Sequence, residues 1–490
     1  MSANQTESNK RAIDGPNDLW RWTGAEIGAA VRRGDISAVE VVESVYARAA
    51  AVNPVINSIV HMDRERALDE ARALDRRRNS GETLGPLAGV PVSIKLNVDV
   101  AGEATSNGNP LWLNRIAGED SGVVSNLRRA GAVVIGRTNT PPYSFRWFTE
   151  NSVYGRTCNP WSGGVTSGGS SGGAGAAVAS GMGPIAHGTD IAGSIRYPAY
   201  VNGVVGLRAT TGRIPSFQAT APRRYFGLQA MSAQGPLTRT ISDARLALEA
   251  MACDGGIDPI WVDARLRYDD DELPTHVALV DEIDGIDVDR EIQQALLSAA
   301  AALASAGYTV ERVPLPDLKQ GMELWESIVM SECRLGMLDA VDAVGDAVIS
   351  TPVHNMAACA PDLSLSGYAE AIASRDEMRR KWNILFRRYP LVLMPTSCRL
   401  PLPWDADQGS VDEMRALLNV QSPLMAVAVC GLPGLHVPTG LARGLPLGVQ
   451  LVAPAFREMR LLHAGAIIEA AHGTLIQQLW DQRPGASWLG

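Results

Sequence analysis

A Gly/Ser run, Ser167-Gly-Gly-Ser-Ser-Gly-Gly173, and a second turn of small residues, Gly188-Thr-Asp-Ile-Ala-Gly-Ser-Ile-Arg196, place serines where chemistry can occur. Residues 174–186 between them are apolar and small. Serines in turns flanking a short buried helix suggest a site built from hydroxyls and backbone amides. A serine hydroxyl is a weak nucleophile until a base takes its proton. Lys95 is the best candidate for that base. Its unperturbed pKa, about 10.4, must fall before it can accept a proton at neutral pH.

The elements that position these groups read as α/β. In Gly89-Val-Pro-Val-Ser-Ile-Lys95, Val90, Val92 and Ile94 alternate with Pro91, Ser93 and Lys95. This is a strand with Lys95 on the face opposite the valines. Residues 121–130 read as a helix stopped by Gly131, and 132–135 as a buried strand. Residues 173–180 read as a helix small enough on every face to lie deep against a sheet, with Gly181 as its cap. Further strands are expected at 203–207, 276–280, 308–313, 391–394 and 448–452. Helices are expected at 242–252, 290–306 and 457–471. Near the N-terminus, Ser37-Ala-Val-Glu40 is a capping box opening a helix to about residue 51, and 63–78 is a charged surface helix. Residues 1–19 read as a flexible arm. Residues 314–425 are less regular and expected to shape a pocket.

Composition narrows the function. Hydrophobic residues make up 46% and charged residues 20% of the 490, an ordinary globular balance. The net charge of −9 comes without a basic tract, which argues against nucleic acid as a partner. No apolar run reaches the length of a membrane span. The six cysteines are far apart and form no CxxC pair, so they read as thiols of a reducing, cytoplasmic protein. The seven histidines include no HExxH and no close pair, so no metal is expected; only His187 lies near the serines.

Other readings of the Gly/Ser run fit less well. A flexible linker is not followed by a buried helix and strand. A phosphate loop needs a Lys after its glycines, and there is none. Gly168-Gly-Ser-Ser-Gly172 matches G-x-S-x-G, but the residues before it form a loop where a nucleophile elbow needs a strand. An S-x-x-K pair is absent, since Ser93 precedes Lys95 by two positions.

Taken together, three ordered motifs resemble the amidase signature family. Gly89-Val-Pro-Val-Ser-Ile-Lys95 is similar to its lysine motif, and the two serine-bearing turns to its serine motifs. Ser194 follows Ser170 by 24 residues, which agrees with the family. Gly136-Arg-Thr-Asn-Thr-Pro141, Tyr154-Gly-Arg-Thr-Cys-Asn-Pro160 and Gly203-Val-Val-Gly-Leu207 extend the likeness. It runs from about residue 25 to 255 and returns at 432–471.

The resemblance implies a single amidase domain over 20–490, with its characteristic core at about 85–255 and a variable, substrate-shaping segment at about 256–425. The implied fold is a large mixed, twisted sheet covered by helices on both faces. It implies a Ser-cisSer-Lys triad: Ser194 as nucleophile, Ser170 as bridging serine after a cis peptide bond, and Lys95 as base. Ser170 can both donate and accept a hydrogen bond, so it can relay a proton. Backbone N–H groups of Ile191, Ala192, Gly193 and Ser194 can converge into an oxyanion site. Ser171, Asp190 and Arg196 are implied in support, the last two as an ion-paired brace.

Two positions depart from the family. Leu96 stands where an acidic residue is common, and Ala192 where the first of two glycines is common. Tyr143, Ser144, Phe145 and Trp147 are expected to line an acyl pocket, with Trp325, Met330 and Cys333 closing it. The expected reaction is hydrolysis of a small-molecule amide, anilide or carbamate, aromatic groups favoured, without a cofactor. An amidotransferase component passing ammonia to a partner protein is the alternative. A homo-oligomer is compatible with either.

Overall fold

The computed structural model describes residues 16–482, apart from 284 and 317. Of the expected arm, residues 1–15 therefore lie outside the described residues. Its end is built into the fold: Pro16–Arg21 is a 3-10 turn, and Leu19 is buried in the core.

Among the described residues eleven strands form one mixed sheet: β1 (Ile59–His61), β2 (Pro91–Lys95), β3 (Val133–Thr138), β4 (Ile185–Asp190), β5 (Val205–Arg208), β6 (Ala233–Thr238), β7 (His276–Leu279), β8 (Thr309–Arg312), β9 (Leu391–Pro395), β10 (Gly434–Ala442) and β11 (Leu445–Val452). Their spatial order is β1-β3-β2-β4-β6-β5-β10-β11-β9-β7-β8. β2 runs parallel to both β3 and β4, whereas β4 and β6 are antiparallel. β5, β10, β11 and β9 continue antiparallel, and β7 returns to parallel pairing on both sides. The α/β class with helical cover is as expected.

Local chemistry explains most boundaries. Ser37 and Glu40 form the capping box, and the helix it opens, Ala38–Ile56, runs past the expected end because Pro54 is accommodated inside it. Asp63 caps the charged helix Arg64–Asn79 by accepting from Arg66 N–H. The small-residue helix Gly172–Ala179 is buried on every face. Its glycines are required by space. A Cβ on Gly173 would sit 2.4 Å from Asn139 N, and one on Gly169 would sit 2.4 Å from Arg146 O.

Residues 314–425 differ from expectation. Where a less regular segment was expected, with a helix carrying Trp325 and a strand at 391–394, they fold into the helices Leu318–Cys333, Met337–Val344, Ala347–Cys359, Leu365–Phe386 and Val411–Val420; Ser422–Val429 follows directly. These helices gather a second apolar core around Trp325, Trp382, Met394 and Leu424, distinct from the core between sheet and outer helices. Among the described residues no helix is long and apolar enough to cross a membrane.

Candidate active site

Lys95 ends β2, and its neighbour β4 ends in Thr189 and Asp190, so parallel pairing brings the amine beside the second turn. Alternation along β2 sends Val92 and Ile94 into the apolar core and Lys95 to the serines. Lys95 has no solvent exposure. Its Nζ lies 2.7 Å from Ser170 Oγ, 3.0 Å from Ser171 Oγ and 2.9 Å from Thr189 Oγ1. Among the described residues no carboxylate touches it. Burial drives its pKa well below the ordinary lysine value, opposed by the more distant Asp190. An ammonium could only donate to these three oxygens, whereas the neutral amine donates to two and accepts from the third.

The Gly169–Ser170 peptide bond is cis. Thr140 Oγ1 donates to Ser170 O (2.8 Å), fixing the run from one side. Ser171 N–H donates to Ser194 O (3.2 Å), which holds the two turns together. Ser194 is 5% exposed and borders a pocket. Among the described residues Lys95 makes no hydrogen bond to Ser194, so any proton exchange between them needs an intermediary.

The second turn is held from two sides. Asp190 accepts Gly193 N–H (2.8 Å) on Oδ1 and Ile195 N–H (3.2 Å) on Oδ2. Arg196 donates to both carboxylate oxygens at 3.0 Å, and Arg208 donates Nη1–H to Oδ1 at 3.2 Å. Burial alone raises the Asp190 pKa, but the two guanidiniums outweigh it and hold the carboxyl well below its usual range. On the other side, Trp325 Nε1–H donates to Ile191 O (2.9 Å) and Trp147 Nε1–H to Ala192 O (2.8 Å). Gly193 is the hinge: its φ is +98°, and a Cβ there would meet Leu424 Cδ1 at 2.5 Å.

This geometry corrects one expectation. Gly193 N–H is donated to Asp190 and does not stand free for a ligand. Among the described residues, the N–H groups of Ile191, Ala192 and Ser194 have no acceptor. The departure at Ala192 leaves its N–H in place and adds a methyl group to the pocket wall.

Ser144, Phe145, Arg146, Trp147, Ile191, Ala192, Ser194, Trp325 and Met356 line the pocket. Phe145 stacks on Trp325 with centroids 6.2 Å apart. Arg146 clamps Asp407 with two bonds of 2.7 Å, tying the 142–148 loop to the chain beyond β9. Three expected pocket residues are elsewhere. Tyr143, at φ +57°, turns its hydroxyl to Ala340 O (3.2 Å) and its ring against Trp112. Cys333 and Met330 are buried in the second core, the Cys333 thiol 3.6 Å from Met337 Sδ. Eight residues after Trp325, a helix has turned about 80° past it, so Cys333 faces another way. His187 is fully buried against Gln234 (2.5 Å); burial lowers its pKa to about 3, and it does not contact the serines.

Residues 40–462 match the amidase family model. The chain belongs to the amidase signature family. Indoleacetamide hydrolase of Bradyrhizobium diazoefficiens is 43% identical to this amidase over 94% of the chain and 89% of the relative. A glutamyl-tRNA(Gln) amidotransferase component from Salinispora tropica is 32% identical over 93% and 98%. The crystal structure of a bacterial aryl acylamidase of the same family superposes with a TM-score of 0.81 at 28% identity, covering 94% of this chain and 98% of that one. The amidase is thus a hydrolase of amide carbon–nitrogen bonds, with small-molecule amides as its substrates.

Thr189, Arg208 and Met356 were not read from the sequence as parts of this site. Thr189 sits in the quoted second motif, next to Asp190, and its small hydroxyl beside a strand-end acid was the available signal. Arg208 and Met356 reach the site only through tertiary packing.

Proposed function

We propose that the amidase hydrolyses an arylacetamide, of which indoleacetamide is the nearest example, through an acyl-enzyme on Ser194. The observation that carries this reading is a fully buried Lys95 amine ringed by hydroxyls, beside a turn with unpaired N–H groups and an aromatic pocket. Ser170 passes its proton to Lys95 Nζ and takes that of Ser194. Ser194 Oγ then bonds the amide carbon. The oxyanion accepts from the N–H groups of Ile191, Ala192 and Ser194. When the C–N bond breaks, the leaving nitrogen takes the proton back through Ser170, and ammonia departs. Water attacks the ester with the same base and releases the arylacetate.

The pocket supports an aryl group by composition and makes it compete for room. Its cavity volume is ≈ 30 Å³, room for about two waters and too little for an aromatic ring. A ring enters by displacing Met356, whose unbranched side chain rearranges easily. Met356→Ala is expected to lower KM for indoleacetamide and to matter less for acetamide.

A panel of indoleacetamide, an anilide, an aryl carbamate and glutamine tests the reading. The purified single chain is expected to prefer indoleacetamide. Ser194→Ala is expected to cut kcat by about 10⁶, the loss seen when other serine hydrolases lose their nucleophile. The same variant should lose labelling by a sulfonyl fluoride. A label retained in that variant would refute the nucleophile assignment. Better turnover of the anilide or carbamate would refute the substrate class. Activity only on glutamine with an added partner would favour the amidotransferase reading.

A further inference from the structure

Arg208, which holds Asp190, also bonds the wall of a second cavity: its Nη2–H donates to Thr211 Oγ1 (3.2 Å) and its Nε–H to Leu432 O (3.1 Å). This cavity has a volume of ≈ 200 Å³, and Thr211, Gly431, Arg375, Arg379 and Asn383 are among its lining residues. The last three recur every fourth residue on the helix Leu365–Phe386, so they share one face.

Arg375 is 8% exposed. Its Nε–H donates to Val429 O (2.6 Å) and its Nη2–H to Ala230 O (2.9 Å). Val429 ends the helix Ser422–Val429, so these bonds have a structural purpose as a helix C-cap. They leave Nη1 without a protein acceptor among the described residues. Arg379, one turn on, also has no partner among the described residues. The neighbouring acids are engaged elsewhere. Asp376 pairs with Arg380, and Glu458, which accepts from Thr210, pairs with Arg213 at 3.1 Å. Burial lowers the Arg375 pKa to about 10, and the charge of Arg379 pushes the same way.

Two like charges, one of them nine-tenths buried and without a carboxylate, disfavour the empty arrangement. Forked guanidinium N–H groups match the oxygens of phosphate and carboxylate. The cavity is smaller than the roughly 300–1,000 Å³ of sites for drug-sized molecules, which suits a small group. We propose that this cavity binds a small oxyanion, a phosphate or carboxylate group, held by Arg375 and Arg379. None of its lining residues takes part in the serine chemistry, so the two proposals stand or fall separately.

Thermal unfolding of the full chain in inorganic phosphate, and separately in acetate, tests this against sodium chloride of equal ionic strength. Binding reads as a rise in Tm. At least one of the two anions is expected to raise Tm beyond chloride. In Arg379→Gln the apparent affinity should fall about tenfold or more. The Tm of that variant in chloride should stay at or above that of the parent chain, because a like charge has been removed. A response to phosphate alone identifies a phosphate site, and one to acetate alone a carboxylate site. No rise with either anion, or a rise that Arg379→Gln leaves intact, would overturn the proposal.

Discussion

Lys95 and Asp190 end neighbouring parallel strands, and each places an ionisable group where water does not reach. Their surroundings differ in kind. The amine meets three hydroxyls and, among the described residues, no carboxylate, so burial decides its state and favours the neutral form. The carboxylate meets two guanidiniums and two backbone N–H groups, so pairing overrules burial and favours the charged form. One pocket is built to deny a charge and the other to keep one. A proton acceptor requires the first arrangement, and a rigid turn is well served by the second.

The largest test breaks the amine pocket. Lys95→Met is expected to lower kcat by about 10²–10⁴, the usual worth of a positioned base. The same change should raise Tm at neutral pH. A lysine whose folded pKa is depressed binds fewer protons folded than unfolded, so it costs stability wherever the unfolded amine is charged. That cost is full below the depressed folded value, shrinks as pH rises from there, and is gone by about pH 10.4, where the unfolded amine also loses its proton. In the parent chain, kcat/KM should therefore rise with pH as the amine loses its proton. A Lys95→Met chain that melts lower than the parent at pH 7 would contradict the neutral pocket.

Breaking the carboxylate pocket should do the opposite to stability. Asp190→Asn leaves Arg196 and Arg208 buried without their counter-charge, and removing one partner of a buried pair costs about 3–5 kcal/mol. Tm should fall, and kcat should fall with it as the turn loosens. The sign with pH also reverses. The depressed carboxyl lends stability above about pH 3.9, and this is lost as pH falls toward its lower folded value. A chain with Asp190→Asn that melts at the parent temperature would remove the basis of the comparison.

These contrasts could be foreseen unevenly. Lys95, Ser170, Ser194, Asp190 and Arg196 were legible because each lies in a short motif whose glycines answer to local space or a positive φ. The strands β2 and β3 were legible because alternation and a helix stop are local signals. Arg208 was not, since its contact with Asp190 lies across the sheet rather than along the chain. Strand β10 was obscured by Pro438, where the register with β11 shifts. The helix Ala347–Cys359 contains Pro352, which reads as a breaker, and Leu365–Phe386 exposes Leu365 and Ile384, which blurs its apolar face. Tyr143 and Ser144 both take left-handed φ, and no composition rule says which of the aromatics around them then faces a pocket.

The smallest expected effect concerns the turn between the two pockets and separates what each side holds. Asp190 fixes Gly193 and Ile195 by their N–H groups, while the indoles fix Ile191 and Ala192 by their carbonyls. A peptide plane held by its carbonyl also has its N–H direction set. The Trp147 bond to Ala192 O thereby aims Gly193 N–H at Asp190, and the Trp325 bond to Ile191 O aims Ala192 N–H away from the indole. Trp147→Phe keeps most of the pocket wall and deletes only the donor. A small misdirection of the N–H groups should then lower kcat about tenfold, worth ~1.4 kcal/mol, with little change in KM. If the indole serves only as a wall, the same variant should raise KM and spare kcat. Trp325→Phe is less discriminating, because its ring also stacks on Phe145 and so touches both quantities. Measured in the Asp190→Asn background, the Trp147→Phe effect should shrink, since the Gly193 N–H it aims has lost a charged acceptor.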